Sequence, residues 1–329
     1  MSGLVVEPAV ELDPFLLDPA GPRVVAIGGG HGLSVTLRAL QMYASEITAV
    51  VSVADDGGSS GRLTAGLGIP PPGDIRRCLL ALTPEPSVWS ELFAYRFGDA
   101  DPDQVRDVEG HSLGNLILAA LTDLAGDFAS AVRRAGELLG AVGTVIPAAT
   151  QPIRLSAVID GRTVEGQVAV ARARGRIERL LLGPDDISAH PEALEAIRRA
   201  DQIVLGPGSL FTSILAALRV PGIAEAVDAS DGELVFVLNL VTQDGETLGL
   251  SGADHLAALA DHGHLRRTGT VVVHQGELRV PDGLEQVGVD ELDAASLGWK
   301  AVYADVADQE AEWPAHHPAK LGKTLAALG

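Results

Sequence analysis

The chain has 329 residues, long enough for one large α/β domain or a domain with an inserted lobe, and too long for a minimal single-core module. Its 44 acidic and 24 basic residues leave a formal charge of −20, which opposes nucleic-acid backbones and anionic lipid surfaces, so neither nucleic acid nor membrane is an expected partner. The single cysteine, Cys78, excludes an intrachain disulfide, and no apolar run is long enough to span a bilayer, so a soluble cytoplasmic chain is expected.

Residues 1–22 carry Pro8, Pro14, Pro19 and Pro22 among Glu7, Glu11, Asp13 and Asp18, and read as a disordered tail rather than a secretion signal. The ordered domain is expected over 23–329 and opens with an apolar strand, Arg23 to Ile27. Gly28-Gly29-Gly30-His31-Gly32 follows, then a helix from Leu33 to Gln41 with Leu33, Leu37 and Leu40 on one face. A second strand, Ile47 to Val53, ends at Asp55-Asp56-Gly57-Gly58, and the Gly57–Arg62 stretch reads as a flexible polar loop. Helices are predicted over Ile75–Leu82 with Asp74 as cap, over Leu113–Leu124 behind Ser112, and from Asp127 to near Gly140. Ile153–Ile159, Asp160-Gly161 and Thr163–Ala171 read as a β-hairpin, and Ile177–Leu182 as a further strand, giving a small β-rich insertion at about 151–183.

Strand–helix alternation then resumes with Ile203–Leu205, Gly206-Pro207-Gly208-Ser209 and a helix over Leu210–Leu218. Strands are expected at Leu234–Leu240, Val271–Val273 and Ala301–Val306, and Pro318 opens a closing helix, Ala319–Leu328. The order predicts a Rossmann-like α/β three-layer sandwich with a mainly parallel sheet. With 4% aromatic residues in a 47% hydrophobic chain, its core is built mostly from Val, Leu, Ile and Ala.

Two glycine turns join a buried strand to a helix. Such turns let the backbone approach a ligand closely, and the helix start offers free N–H groups to a phosphate. The first is not the dinucleotide fingerprint, because Leu33 stands where the third glycine belongs. Asp55 follows Gly28 by 27 residues, against a usual ~20 for a ribose-binding acid, so ribose, metal and substrate-positioning roles stay open for Asp55 and Asp56. Arg76 and Arg77 lie in the first turn of a helix, against its dipole, where a bound anion or a salt bridge to Asp55 or Asp56 compensates them. His111 and Asn115 start an apolar helix and either face the ligand or satisfy local hydrogen bonds. Arg172, Arg174 and Arg176 form a stripe if extended, read as a solvated face or a docking surface for an acidic partner. No nucleophile–base pair or complete metal set appears, so no catalytic residue or metal ligand is assigned.

Six segments together resemble the CofD-like family, and within it the gluconeogenesis-factor branch of the YvcK type: Gly28 to Ser34, Val53 to Leu63, Pro71 to Arg76, Gly110 to Asn115, Leu205 to Leu210 and Thr242 to Thr247. The resemblance implies a cytoplasmic regulator that binds UDP-N-acetylglucosamine without a required cofactor. It also implies support for cell shape and peptidoglycan precursor supply during gluconeogenic growth, through protein partners and with a homo-oligomer expected. On that reading Gly29, Gly30, His31, Gly32 and Ser34 lie near one phosphate, and Gly206, Gly208 and Ser209 form the second glycine edge. Asp55, Asp56 and Arg62 face the ribose or sugar, and Asn239, Thr242 and Gln243 the nucleotide end, with Asp74, Arg76, His111 and Asn115 completing the set. The alternative is the enzymatic branch, a 2-phospho-L-lactate transferase acting on a deazaflavin with Mg2+ and an aspartate pair matching Asp55 and Asp56. A nicotinamide oxidoreductase ranks third. The chain departs from the regulatory branch at Leu250, where relatives often present an aromatic residue, and at Ala315-His316-His317, where a basic residue is expected.

Overall fold

Strand β1 (Arg23–Gly28) lies inside a seven-stranded sheet, buried on both faces as its unbroken apolar run requires. A computed structural model describes residues 17–84, 86–98 and 108–329, so most of the expected tail, residues 1–16, lies outside the described residues. After β1 come α1 (Gly30–Leu40), β2 (Glu46–Val51), α2 (Gly58–Leu67), α3 (Pro72–Ala81), α4 (Val88–Ala94), α5 (Leu113–Ala125), α6 (Phe128–Leu139) and β3 (Thr144–Pro147). A separate antiparallel sheet, in the order β5-β4-β6, is built from β4 (Arg154–Ile159), β5 (Arg162–Glu165) and β6 (Ile177–Gly183), with α7 (Gln167–Arg172) between the last two. The chain continues through α8 (Pro191–Arg199), β7 (Gln202–Leu205), a π-helical segment Leu210–Leu215 that runs into α9 (Ala216–Leu218), α10 (Ile223–Ala229) and β8 (Glu233–Val237). It closes with α11 (Gly252–Asp261), β9 (Thr270–His274), α12 (Glu291–Ser296), β10 (Lys300–Ala304) and α13 (Pro318–Ala326).

The large sheet has the order β10-β9-β8-β7-β1-β2-β3, and every pairing in it is parallel. Alternate residues of β1 feed two cores. Val25 and Ile27 pack with the π-helical segment, α10, α11 and the small sheet, whereas Val24 and Ala26 pack with Leu33, Leu37 and Leu40 of α1 and with α3, α6 and α13. From β1 the chain proceeds to β2 and β3 on one side, then returns as β7 on the other. The carboxyl ends of β1 and β7 therefore form the topological switch point, where open α/β sheets bind ligands. Both glycine turns sit there.

Several local expectations are corrected by long-range contacts. Gly57–Arg62 is not a flexible loop but the cap and start of α2, despite three glycines and two serines of poor helix propensity. Ser59 and Ser60 are buried, and Gly61 approaches the Asp56 carbonyl so closely that a Cβ would lie 1.9 Å from it. The expected strand Thr163–Ala171 stops at Glu165, because Gly166 turns at φ +96 and the Asp56 carboxylate accepts the N–H groups of Gln167 (2.8 Å) and Val168 (2.9 Å), starting α7. Arg172 consequently ends a helix while Arg174 and Arg176 lie in the coil beyond it, so the stripe is not one extended face. Asp74 sits inside the first turn of α3, with Pro71 rather than Asp74 at the cap. Ser112 holds the cap position of α5 without a side-chain bond to the helix, its hydroxyl donating to the Tyr95 carbonyl instead, whereas Asp127 does cap α6 through Ser130 N–H at 2.8 Å. Among the described residues, no single helix is long and apolar enough to cross a membrane.

Candidate functional site

The two glycine turns touch backbone to backbone. A Cβ on Gly32 would stand 1.9 Å from the carbonyl oxygen of Pro207, so only glycine lets α1 begin against the β7 turn. Gly30 takes φ +65 at the start of α1, and its N–H donates to Asp74 Oδ2 at 2.8 Å. Gly208, at φ +132, is clasped by Asn239 just beyond β8: its N–H donates to Oδ1 and its carbonyl accepts from Nδ2, each at 2.8 Å. Three adjacent strands thus fix one pair of loops.

Between the turns opens a polar cavity of about 290 Å3, lined among others by Gly30, His31, Ser52, Asp55, Arg77 and Ser209. His31, Gly32, Gly208 and Gln243 also belong to an adjoining cavity of about 680 Å3, where Leu240, Thr242, Leu284, Trp313 and Pro314 provide an apolar wall. The two form one crevice with a polar mouth and a roomy, less polar chamber. Ser52 Oγ and Gln243 Oε1 are buried there without a hydrogen-bond partner among the described residues. Unpaired buried polar atoms are uncommon, and His316 Nε2 in the chamber is a third, so three polar groups of the crevice are free to meet a polar ligand.

Charge in the mouth is mixed. Asp74 pairs with Arg77 Nη1 at 2.5 Å, and burial pushes its carboxyl pKa up, with Asp55 adding in the same direction against the pull of Arg77. Burial lowers the His31 pKa, and the Arg77 guanidinium lowers it further, so this imidazole is neutral at pH 7. Arg77 is therefore the cation of the mouth.

Arg76, expected at the ligand, points elsewhere. Its Nε donates to Asn115 Oδ1 at 3.1 Å and its Nη1 to the Phe93 carbonyl at 3.2 Å, tying α3 to α4 and α5, and burial depresses its pKa to about 10. The two neighbours should separate cleanly on mutation. Arg77→Ala is expected to weaken phosphate-ligand binding about tenfold or more by titration calorimetry, since a charge-assisted contact is lost. Arg76→Ala should instead cost about 2–4 kcal/mol in urea denaturation, because Asn115 and Phe93 lose a buried donor.

Other expected residues divide in the same way. Gly29, Gly30, His31, Gly32, Asp55, Asp74, Gly208, Ser209 and Gln243 meet at the mouth, and Asn239 and Thr242 line the chamber. Thr242 is set there by its N–H to the Glu285 carbonyl (2.8 Å) and by accepting the Glu285 N–H (3.0 Å). Gly206 lies beneath the turn against Thr36, and Ser34 Oγ donates back to the Gly30 carbonyl at 3.1 Å. Asp56 spends its carboxylate on α7. His111 Nδ1 lies 3.0 Å from Ser59 Oγ, which also accepts from Asn115 Nδ2 at 3.1 Å, so both residues join α2 to α5 away from the crevice. Arg62 is exposed and donates to the Glu109 carbonyl. Leu250 lines a different cavity, so its departure from the family does not touch this crevice.

Sequence reasoning left Ser52, Gln167 and Trp313 out of the site, and offered Arg77 only jointly with Arg76 as an anion contact. Arg77 was legible as the residue one helical turn after Asp74, and Ser52 as the residue just past the carboxyl end of β2. Gln167 and Trp313 arrive from remote segments with no local mark.

The model of the family described as 2-phospho-L-lactate transferase CofD matches residues 24–307. A gluconeogenesis factor of Bacillus subtilis is 45% identical over 266 residues, covering 80% of this chain and 82% of its own. The gluconeogenesis factor of Halalkalibacterium halodurans is 43% identical over 284 residues, covering 84% and 87%. A crystal structure of a Bacillus halodurans protein superposes with a TM-score of 0.87 at 39% identity, covering 93% of this chain and 99% of that one.

Proposed function

The chain belongs to the CofD family, with relatives named gluconeogenesis factor, and on that premise we propose that it is a regulator that senses a nucleotide sugar, UDP-N-acetylglucosamine, in the crevice at the β1/β7 switch point. The observation that carries this reading is the joined crevice itself: a glycine-walled polar mouth opening into a chamber of about 680 Å3, within the usual size of small-molecule sites. The diphosphate lies between Gly30-His31-Gly32 and Gly208-Ser209, met by Arg77. The base and ribose occupy the chamber beside Asn239, Thr242 and Gln243, and the sugar turns toward Ser52 and Asp55. In keeping with the regulatory branch, occupancy adjusts peptidoglycan precursor supply through partner proteins in the cytoplasm.

The transferase alternative keeps one specific support, the Asp55 carboxylate at the mouth. The aspartate pair it implies is divided, however, because Asp56 is engaged by two N–H groups of α7. Asp55 together with ligand phosphates suits magnesium, which commonly takes one or two carboxylates plus phosphate oxygens, and the ion would neutralise phosphate charge there. Titration calorimetry with UDP-N-acetylglucosamine, GDP and NAD, with and without magnesium, separates the readings. Saturable binding of the sugar nucleotide without turnover is the expected result. Silence there, with magnesium-dependent GDP binding, moves the assignment to the transferase.

His31 gives this reading a pH signature. A phosphate beside the imidazole raises its depressed pKa, so the complex holds more protons than the free protein. Affinity should therefore rise as pH falls below about 6.5, the ordinary histidine value. A diphosphate diester does not titrate in that range, so His31→Gln should flatten the profile. An unchanged slope in that variant would remove His31 from the phosphate.

A further inference from the structure

Arg174 and Arg176 take no part in the crevice; they border a second cavity of about 530 Å3 between the start of β6, the turn at 245–250 and α11. Its wall is apolar, with Phe211, Leu248 and Leu250, and Leu248 is 40% exposed. Of the three acids that line it, Glu246 and Asp254 are engaged within the chain, and Asp261 stands exposed at its edge. Asp254 accepts the Ser251 N–H at 2.8 Å in the cap of α11, Glu246 accepts the Phe211 N–H at 3.3 Å together with the Thr212 hydroxyl, and Asp244 meets Arg174 at 3.3 Å. The Arg176 guanidinium has no hydrogen-bond or ion-pair partner among the described residues, although its own N–H is used by Asp160. His262 closes one end with its ring edge-on to Phe211, centroids 5.2 Å apart.

A cavity with an apolar wall and an unpaired guanidinium at its rim is a receptor for one kind of molecule. In a chain of charge −20, that guanidinium is a local reversal of the prevailing field. The floor is also wired to the glycine turns. Glu246 caps the first turn of the π-helical segment Leu210–Leu215, and Ser209, Thr212 and Ser213 at that same end line the polar mouth. We propose that this cavity is a second ligand site, taking a small organic anion whose apolar or aromatic body lies on Phe211, Leu248 and Leu250 and whose carboxylate or phosphate pairs with Arg176, and that its occupancy reaches the glycine turns through Glu246. The site stands independently of the nucleotide assignment.

The test uses the full chain and 8-anilinonaphthalene-1-sulfonate, an aromatic body with a fixed negative charge, read by fluorescence. Saturable binding of one probe per chain is expected, weakened about tenfold by Arg176→Ala, as loss of a charge-assisted pair predicts. Ala257→Trp, which fills the cavity and leaves its charges in place, should abolish it. Competition with phenyl phosphate and with 3-phenylpropionate then assigns the head group. Probe binding unaltered by either variant, or displaced by neither competitor, overturns the site. The coupling is read by hydrogen exchange: amides of Leu210–Ser213 should exchange more slowly with the probe bound in the wild-type chain, and unchanged exchange there overturns it.

Discussion

Gly32→Ala is expected to eliminate measurable nucleotide binding while leaving a folded but weakened protein. The added methyl would sit 1.9 Å from the Pro207 carbonyl oxygen and 2.5 Å from its carbon, well inside van der Waals contact, and both are backbone atoms. Neither partner can step aside cheaply. Pro207 is followed by Gly208, which Asn239 clasps from β8 at both its N–H and its carbonyl, and Gly32 lies in the first turn of α1, whose Leu33 and Leu37 are fully buried. The turns must therefore separate, which moves the N–H groups proposed to hold the phosphate. Two misplaced donors to a charged group cost about 3–6 kcal/mol, a loss of a hundredfold or more in affinity. Overpacking itself should lower stability by about 1–3 kcal/mol, seen in a chain of this length as a Tm lower by roughly 1–5 °C. A folded Gly32→Ala protein with wild-type affinity in calorimetry would place the ligand elsewhere. Gly30 makes the useful contrast, since a Cβ there meets nothing within 4 Å but the residue adopts φ +65. Gly30→Val is expected to lose binding through the strained backbone and the blocked mouth, with the loop contact to Pro207 intact.

What the chain reveals locally and what it hides follow one physical rule. β1, α1, β7 and the two glycine turns were legible because buried parallel strands are continuous apolar runs and the turns between strand and helix demand glycine. The meeting of those turns was foreseeable from the Rossmann pattern, and Asn239 at the end of β8 follows from the same geometry. The misreadings share another cause: a side chain remote in sequence decides the local structure. Asp56 starts α7 from 111 residues away, and buried Ser59 and Ser60 hold α2 against propensity. Arg76 and Arg77 are adjacent and chemically identical, and only the 100° step between helix neighbours sends one into the core of α3, α4 and α5 and the other to the crevice. Edge strand β3, four residues ending in Pro147, offered too short a pattern to stand out.

Glu246→Ala should be the most damaging single change outside the glycine turns, at about 3–5 kcal/mol, a large share of ordinary domain stability. Ser209 occupies the cap position of the π-helical segment yet makes no side-chain cap bond, so the exposed N–H groups of that turn depend on the buried Glu246 carboxylate, which also holds the Thr212 hydroxyl. Truncation leaves those donors without a partner and opens a void beside Phe211. Glu246→Gln keeps one acceptor and the volume, so its smaller loss isolates the charge. Burial raises the Glu246 pKa, while its hydrogen bonds with Thr212 and Phe211 pull the other way. A carboxyl raised in the folded state binds more protons folded than unfolded, so its contribution is complete below the unfolded value, about 4.3, and is lost as pH climbs toward the folded one. Asp74 is raised for the same reason and shifts in the same direction, but it is present in both proteins and cancels from their difference. The stability gap between the wild-type chain and Glu246→Gln should therefore be widest below about pH 4.3 and narrow as pH rises, measured by urea denaturation at each pH. A gap that stays constant would mean that the carboxylate is stabilised as fully by its hydrogen bonds as it is penalised by burial, and the helix start at the glycine crevice would then be held by charge rather than in spite of it.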